Sequence, residues 1–345
     1  VEESRRTELT VSFDGTDITA DIKPYFLSLT YTDDEDGAAD DLQIKLQDRN
    51  GIWLESWLEE AVNAAAGCKL KLSCAITPKG WANQSGTLKS GVCELDSVTA
   101  QGPPATVTIK GVGLGFSSAI QQTKRSKAWE GYTLSGIAKE IAGNGGTTCL
   151  YECDSDPSYE RVEQDKQSDI TFLEQLCQDA GVALKCTDGK LVLFDQAKYE
   201  AAAPAATITR GCGYVSYKLK SGTAQTKYDS CRVSYRDPAT GAVIEGTAYA
   251  DDYDSDSADN QQLEVTAKVA SAGEAQELAA KRLKLHNKFQ RTVVFTFPGN
   301  TGYMAGLTIQ LTGWGGWSGK YMIAQAKHTV DEDGYTTQVT GRKIG

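Results

Sequence analysis

The sequence predicts a β-dominated α+β multidomain protein in which two β-rich regions flank an α+β centre. Three observations carry this. At roughly 150 residues per folded unit, 345 residues make two or three units. Apolar residues alternate with period two from Leu9 to about Phe116 and again beyond Tyr214. Between these regions the period changes to that of a helix.

In the first region, residues 1–118, Leu9, Val11 and Phe13 alternate before an Asp14-Gly15 turn, and Leu27, Leu29 and Tyr31 alternate after it. Leu42, Ile44 and Leu46 follow, then Leu70 and Leu72, Val92 to Val98, and Val107 with Ile109. Short strands at this spacing predict one antiparallel barrel or sandwich. Trp53 to Ala66, with Trp57, Leu58 and Ala61, reads as a short helical insert.

A polar, basic connector from Gln121 to Lys127 leads into the centre, residues 123–200. Thr133 caps a helix whose apolar face is Leu134, Ile137, Ala138 and Ile141, closed by Gly143. Ser168 caps a second helix, with Asp169 near its positive end, Ile170, Leu173, Leu176, Cys177 and Ala180 inward, and Gly181 at its close. Val182 to Cys186 and Leu191 to Phe194 form a hairpin around Asp188-Gly189.

The alanine-rich run 201–206 reads as a linker into the last region, residues 207–345. Strands follow at Tyr214 to Leu219 and Cys231 to Tyr235, with a turn at Asp237-Pro238-Ala239-Thr240-Gly241. Asp251 to Asp256 forms an acidic loop and Glu274 to His286 a helix, an insertion ahead of closing strands at Val293 to Phe295, Leu307 to Leu311, Tyr321 to Ala326 and Tyr335 to Val339. No repeat is visible between the outer regions in sequence.

Composition narrows function. Lys plus Arg total 35 against 46 Asp plus Glu, a net charge of −11, which argues against a stable, sequence-specific nucleic-acid surface. No window reaches the ~18 apolar residues of a spanning helix and no apolar stretch follows Arg5-Arg6, so the expectation is a soluble chain without signal or membrane anchor. Nine scattered cysteines predict buried thiols made in a reducing cytoplasm.

The usual catalytic constellations are missing their parts. With only His286, at a helix end, and His328, at a strand end, a zinc site or nucleophilic triad lacks material. Cys149 and Cys153 have no second pair. Gly111-Val112-Gly113-Leu114-Gly115-Phe116 has Phe where a dinucleotide fingerprint needs its third glycine. Trp314 and Tyr321 around Gly319-Lys320 break a phosphate-loop pattern. Asp252, Asp254 and Asp256 have calcium-loop spacing, but Ser257 and Leu263 replace the required Gly and bidentate acid. Asp33-Asp34-Glu35-Asp36-Gly37 reads as a solvated loop, since an acid and base pair needs a walled pocket. Trp314-Gly315-Gly316-Trp317 reads as packed aromatics, and Asn83-Gln84-Ser85 as a chance glycosylation pattern. No cofactor or metal is expected.

Several stretches resemble the phage late control D family, the baseplate hub proteins of contractile tails, related to the hub region of VgrG secretion spikes. They are Leu27-Ser28-Leu29-Thr30-Tyr31-Thr32-Asp33 with Ala39 to Arg49 and the tryptophans beyond, Cys93 to Val98, Lys127 to Leu134, and Gln167 to Gly181 with Asp188 to Leu193. Ala305-Gly306-Leu307, Gly319-Lys320-Tyr321 and His328 to Thr337 resemble the family's closing strands. The resemblance implies two tube-like antiparallel β-barrel domains with the α+β domain between them, and a non-enzymatic homotrimer whose pseudo-sixfold ring joins a tail tube protein to a spike protein. Because the chain stops at Gly345, that spike is expected to be a separate protein, alongside other baseplate proteins, in a virion or phage-tail-like particle assembled in the bacterial host cytoplasm. Expected assembly contacts are Asp33, Asp34, Glu35, Asp36, Trp53, Trp57 and Trp129. An acidic channel wall would also repel DNA phosphate during ejection. A glycan-cleaving enzyme and a glycan-binding module using Trp314 and Trp317 are the alternative readings.

Overall fold

The computed structural model describes residues 4–344, apart from 38, 54, 56–69, 82–85, 114–119, 121–122, 188, 223–226 and 239. Trp57, Cys68, nearly all of the expected helical insert, the Asn83-Gln84-Ser85 pattern and much of the glycine stretch up to Phe116 lie outside the described residues.

The first region contains β1 (Arg6–Phe13), β2 (Thr16–Asp17), β3 (Phe26–Asp34), β4 (Asp41–Gln47), β5 (Lys71–Lys79), β6 (Leu88–Lys89), β7 (Cys93–Gln101) and β8 (Thr106–Gly113). Their alternation sends one face inward: Leu42, Ile44 and Leu46 of β4 are buried with Leu29, Leu72, Ile76, Val107 and Ile109. Each such side chain stabilises the fold by about 1.5–3 kcal/mol.

The centre opens with β9 (Lys124–Thr133), so much of the segment expected as a connector is a strand, paired with β11 (Ser158–Ser168). Its polar, alternately exposed side chains mask the β period. Between them lie α1 (Leu134–Asn144) and β10 (Thr148–Glu152), followed by α2 (Asp169–Ala180), β12 (Ala183–Thr187), β13 (Lys190–Phe194) and α3 (Gln196–Ala201). Both expected caps form: Thr133 Oγ1 accepts from Gly136 N at 3.2 Å, and Ser168 Oγ from Thr171 N at 3.3 Å. Gly181 ends α2 in the left-handed conformation, whereas α1 runs past Gly143 to a cap at Gly145. The hairpin pairs Thr187 with Lys190, and Asp188 of the expected turn lies outside the described residues.

The last region contains β14 (Ala206–Thr209), β15 (Ser216–Ser221), β16 (Ser230–Arg236), β17 (Val243–Tyr249), β18 (Gln262–Thr266), α4 (Ala272–Asn287), β19 (Arg291–Pro298), β20 (Thr308–Thr312), β21 (Gly319–Asp331) and β22 (Gly334–Lys343). Strands β16, β17 and β18 form a separate three-stranded sheet that shares its own core with α4, so the insertion is a small folded unit.

The remaining strands reveal a repeat that sequence does not show. Numbered by chain order, the first region's main strands are β1, β3, β4, β5, β7 and β8, and they lie side by side as β3-β4-β8-β7-β5-β1. The last region's are β14, β15, β19, β20, β21 and β22, lying as β15-β19-β22-β21-β20-β14. Both follow the order 2-3-6-5-4-1. All neighbours are antiparallel except β14 with β20, which is parallel. The two units join edge to edge where β21 pairs antiparallel with β3, from Gln325↔Asp34 to Asp331↔Ser28. The result is one 14-stranded sheet whose path ends at β15 and β2, with no closed barrel among the described strands.

Candidate functional site

At the end of β3 the acidic run turns into the place where all three regions meet. The expectation of a solvated loop is corrected here: Asp33, Glu35 and Asp40 are 3%, 2% and 2% exposed. Asp33 Oδ1 lies 2.5 Å from Lys185 Nζ on β12, and its other oxygen accepts from Ala305 N at 2.8 Å. Asp34 accepts from Gln325 of β21 at 2.8 Å. Glu35 receives a two-pronged contact from Arg342 of β22, Nε at 2.9 Å and Nη2 at 2.6 Å. Asp36 pairs with Lys288, just past α4, at 2.7 Å, and accepts from Gln196 of α3 at 2.9 Å. Arg342 also reaches Glu200 of α3 at 2.8 Å, and Glu200 pairs with Lys284 of α4.

Buried charges at this density persist only where nearly every carboxylate has a cation or donor, which is the situation here. Burial pushes the Asp40 carboxyl up to about 6, against the pull of Lys185 3.6 Å away. Burial likewise raises Asp34. It draws Lys185 down, but Asp33 and Asp40 outweigh it and hold the ammonium above its ordinary value. Arg342 is raised in the same manner by Glu35 and Glu200 and stays charged. The cluster is thus an internal clamp with its charges neutralised in place.

Two of the expected contact tryptophans also face inward. Trp129 is 1% exposed, stacked on Phe172 and covered by Lys127 Nζ 3.7 Å from its ring centre. Trp53 is 8% exposed and packs edge-on to Tyr25. Each fills the apolar core of its own region. Sequence reasoning missed Lys185, Glu200, Lys288 and Arg342, since Arg342 meets Glu35 across 307 positions and no local spacing signals that pairing.

The remaining chemistry-bearing residues are structural. His328 is fully buried inside β21 rather than at a strand end. Its Nε2 donates to Tyr303 O at 3.0 Å, and Tyr335 Oη lies 2.8 Å from Nδ1. A carbonyl only accepts, which assigns the proton to Nε2. Burial drives its pKa down to about 4. His286 sits near the end of α4, edge-on to Tyr228. Trp314 is buried and donates to Ile208 O at 3.0 Å, so it packs rather than presenting a sugar platform. Burial raises Cys153 to about 11, leaving a thiol rather than a reactive thiolate. The 251–256 loop is exposed, and among the described residues no cluster of three His, Cys, Asp or Glu is placed to hold a metal. Among them, too, no helix is long and apolar enough to cross a membrane.

Known proteins resemble this chain in sequence and in fold. A described probable baseplate hub protein of Escherichia phage P2 is 28% identical over 209 residues, 58% of this chain and 49% of the relative. That of Escherichia phage 186 is 26% identical over 208 residues, 59% of this chain and 50% of the relative. The chain therefore spans about half the length of the curated relatives it matches. Among solved structures, a tail protein from Neisseria meningitidis MC58 aligns with a TM-score of 0.70 at 12% identity, covering 99% of this chain and 97% of that one. The 43 kDa tail protein of prophage MuSo2 from Shewanella oneidensis aligns at 0.69 and 13%, covering 97% and 98%. At such identities the likeness establishes the fold. The sequence model of the phage tail baseplate hub (GPD) family matches residues 117–334, well over half of the chain, and this protein belongs to that family.

Proposed function

We propose that the chain is a structural hub of a phage or phage-like tail, in which three copies form a ring of six similar units between the tail tube and the spike. The repeated strand order 2-3-6-5-4-1 carries this reading. A ring facing a sixfold tube on one side and a threefold spike on the other needs either two chains or one chain with two matching faces. In this reading each six-strand unit is one tube-like barrel domain of the assembled ring. The α+β centre and the acidic clamp fix the angle between the two units of each copy. The clamp carboxylates then contribute to assembly by positioning. With the chain's net charge of −11, solvated acids outside the clamp remain available to repel DNA from the bore.

Mass photometry of the full chain, with and without its tube and spike partners, tests the ring. The expected result is a threefold mass with a ring-shaped image by negative-stain microscopy. A monomer that stays monomeric at micromolar concentration with both partners present overturns the reading. Release of peptidoglycan fragments, lost on changing one carboxylate, would favour the enzymatic alternative.

A further inference from the structure

The seam inside the chain shows how two copies meet. Strand β21 uses two halves of one edge: Gly319 to Met322 pair with β20, and Gln325 to Asp331 pair with β3 of the other unit. Its counterpart β7 pairs with β5 only at Cys93 and Glu94, and among the described residues nothing pairs with the same edge from Ser97 to Gln101. The counterpart of β3 is β15, an edge strand bonded on one side to β19 and, among the described residues, to nothing on the other. Each unit therefore exposes the half of the seam that the other lacks. On the open β15 edge Val215 and Tyr217 are 66% and 53% exposed. Edge lysines ordinarily deter indiscriminate pairing, and Lys218 and Lys220 stand on this edge strand.

The register follows from a shared irregularity. Pairing of β7 with β8 shifts between Leu95 and Ser97, and pairing of β21 with β22 shifts between Ile323 and Gln325. In both, the residue before the shift faces a glycine, Gly111 or Gly341. Thr99 thus corresponds to Lys327, and following the pairs through β4 and β19 makes Thr32 correspond to Lys220. Within the chain Lys327 faces Thr32. We infer that β15 of one copy pairs antiparallel with the Ser97–Gln101 half of β7 in the next, with Thr99 opposite Lys220 and Ala100 opposite Leu219. The contact is head to tail, so a chain of copies closes where the rotation allows. This rests on the reading of two equivalent units.

Disulfide trapping tests it. In a Cys212→Ser background, which removes the one thiol that is exposed among the described residues, full-length Thr99→Cys and Lys220→Cys chains are mixed and oxidised, with mass photometry on the same samples. Directly opposed residues have Cα atoms about 4.5–5.5 Å apart, within disulfide reach. The mixture should give a covalent dimer absent from either variant alone, and the double variant should give a covalent trimer. Ser97→Cys with Lys220→Cys, two residues out of register, should link at least tenfold less. Threefold particles with no Thr99–Lys220 link, or with equal linking of the shifted pair, overturn the seam while the ring stands. Linked dimers that never close overturn the ring and support the seam. No association and no link overturn both.

Discussion

The two six-strand units follow the same path through space but put different chemistry at matching positions. Where β22 carries Arg342, the corresponding position of β8 is Val112; where β21 carries His328, β7 has Ala100. Between the second and third strands the first unit has only the short acidic turn between β3 and β4, whereas the second has a whole sheet-and-helix insertion. The difference teaches that strand order is the repeated feature and side chains are assigned by what each edge meets. The edge of β21 enclosed within the chain carries buried His328 and meets β3 with its buried Asp33; the open edge of β7 carries Ser97, Thr99 and Gln101.

The sharpest way to break the comparison is to make the units alike. Arg342→Val copies Val112 into the second unit, strands Glu35 without a cation in a dry site and leaves Glu200 with Lys284 alone. Leaving buried charges uncompensated costs about 3–5 kcal/mol, which urea denaturation of the variant should read as a large fall in midpoint. The double change of Arg342→Val with Glu35→Gln should recover part of that loss.

A second difference is read by pH. The folded pKa of His328, about 4, lies below its ordinary value of 6.5. Its contribution is therefore complete above pH 6.5 and is lost as pH falls through 4, on the order of 3 kcal/mol in all. Asp40 acts oppositely: its folded pKa of about 6 exceeds the ordinary 3.8, so its cost is present above pH 6 and relieved on acidification. The two contributions oppose each other and are of similar size, so relative to the unaltered protein stability against urea should fall more steeply between pH 6.5 and 4 in Asp40→Asn and less steeply in His328→Gln.

Gly111 and Gly341 test whether the units are equivalent in packing. A Cβ on Gly111 would meet Cys93 Cβ at 3.0 Å, and one on Gly341 would meet Val293 Cγ2 at 3.0 Å. Alanine at either site should cost about 1–3 kcal/mol by overpacking, with the two losses similar in thermal melts. The smallest effect is expected outside both units, where Asp254→Asn in the exposed 251–256 loop should shift stability by less than about 0.5 kcal/mol.

Much of the fold was legible because it depends on local rules. Thr133 and Ser168 cap helices and Gly181 ends one because the groups they satisfy lie within four residues. The β9–β11 pair was hidden by polar, solvent-facing side chains that erase the period-two signal. The acidic run was legible as a cluster but not as a clamp. Its partners, Lys185, Lys288 and Arg342, are charged residues of the kind that normally face water.

By itself the sequence determined most of the strands and helices with an apolar face, the β, α+β, β order of its patterning, and the absence of material for a histidine-based triad, since these depend on composition and short-range periodicity. Tertiary structure alone decided that the two outer regions repeat one strand order and join at β3 and β21, and that Asp33, Glu35 and Asp36 point inward. Both outcomes depend on pairings hundreds of residues apart, where backbone hydrogen bonding and the need to neutralise buried charge act between segments that share no local pattern.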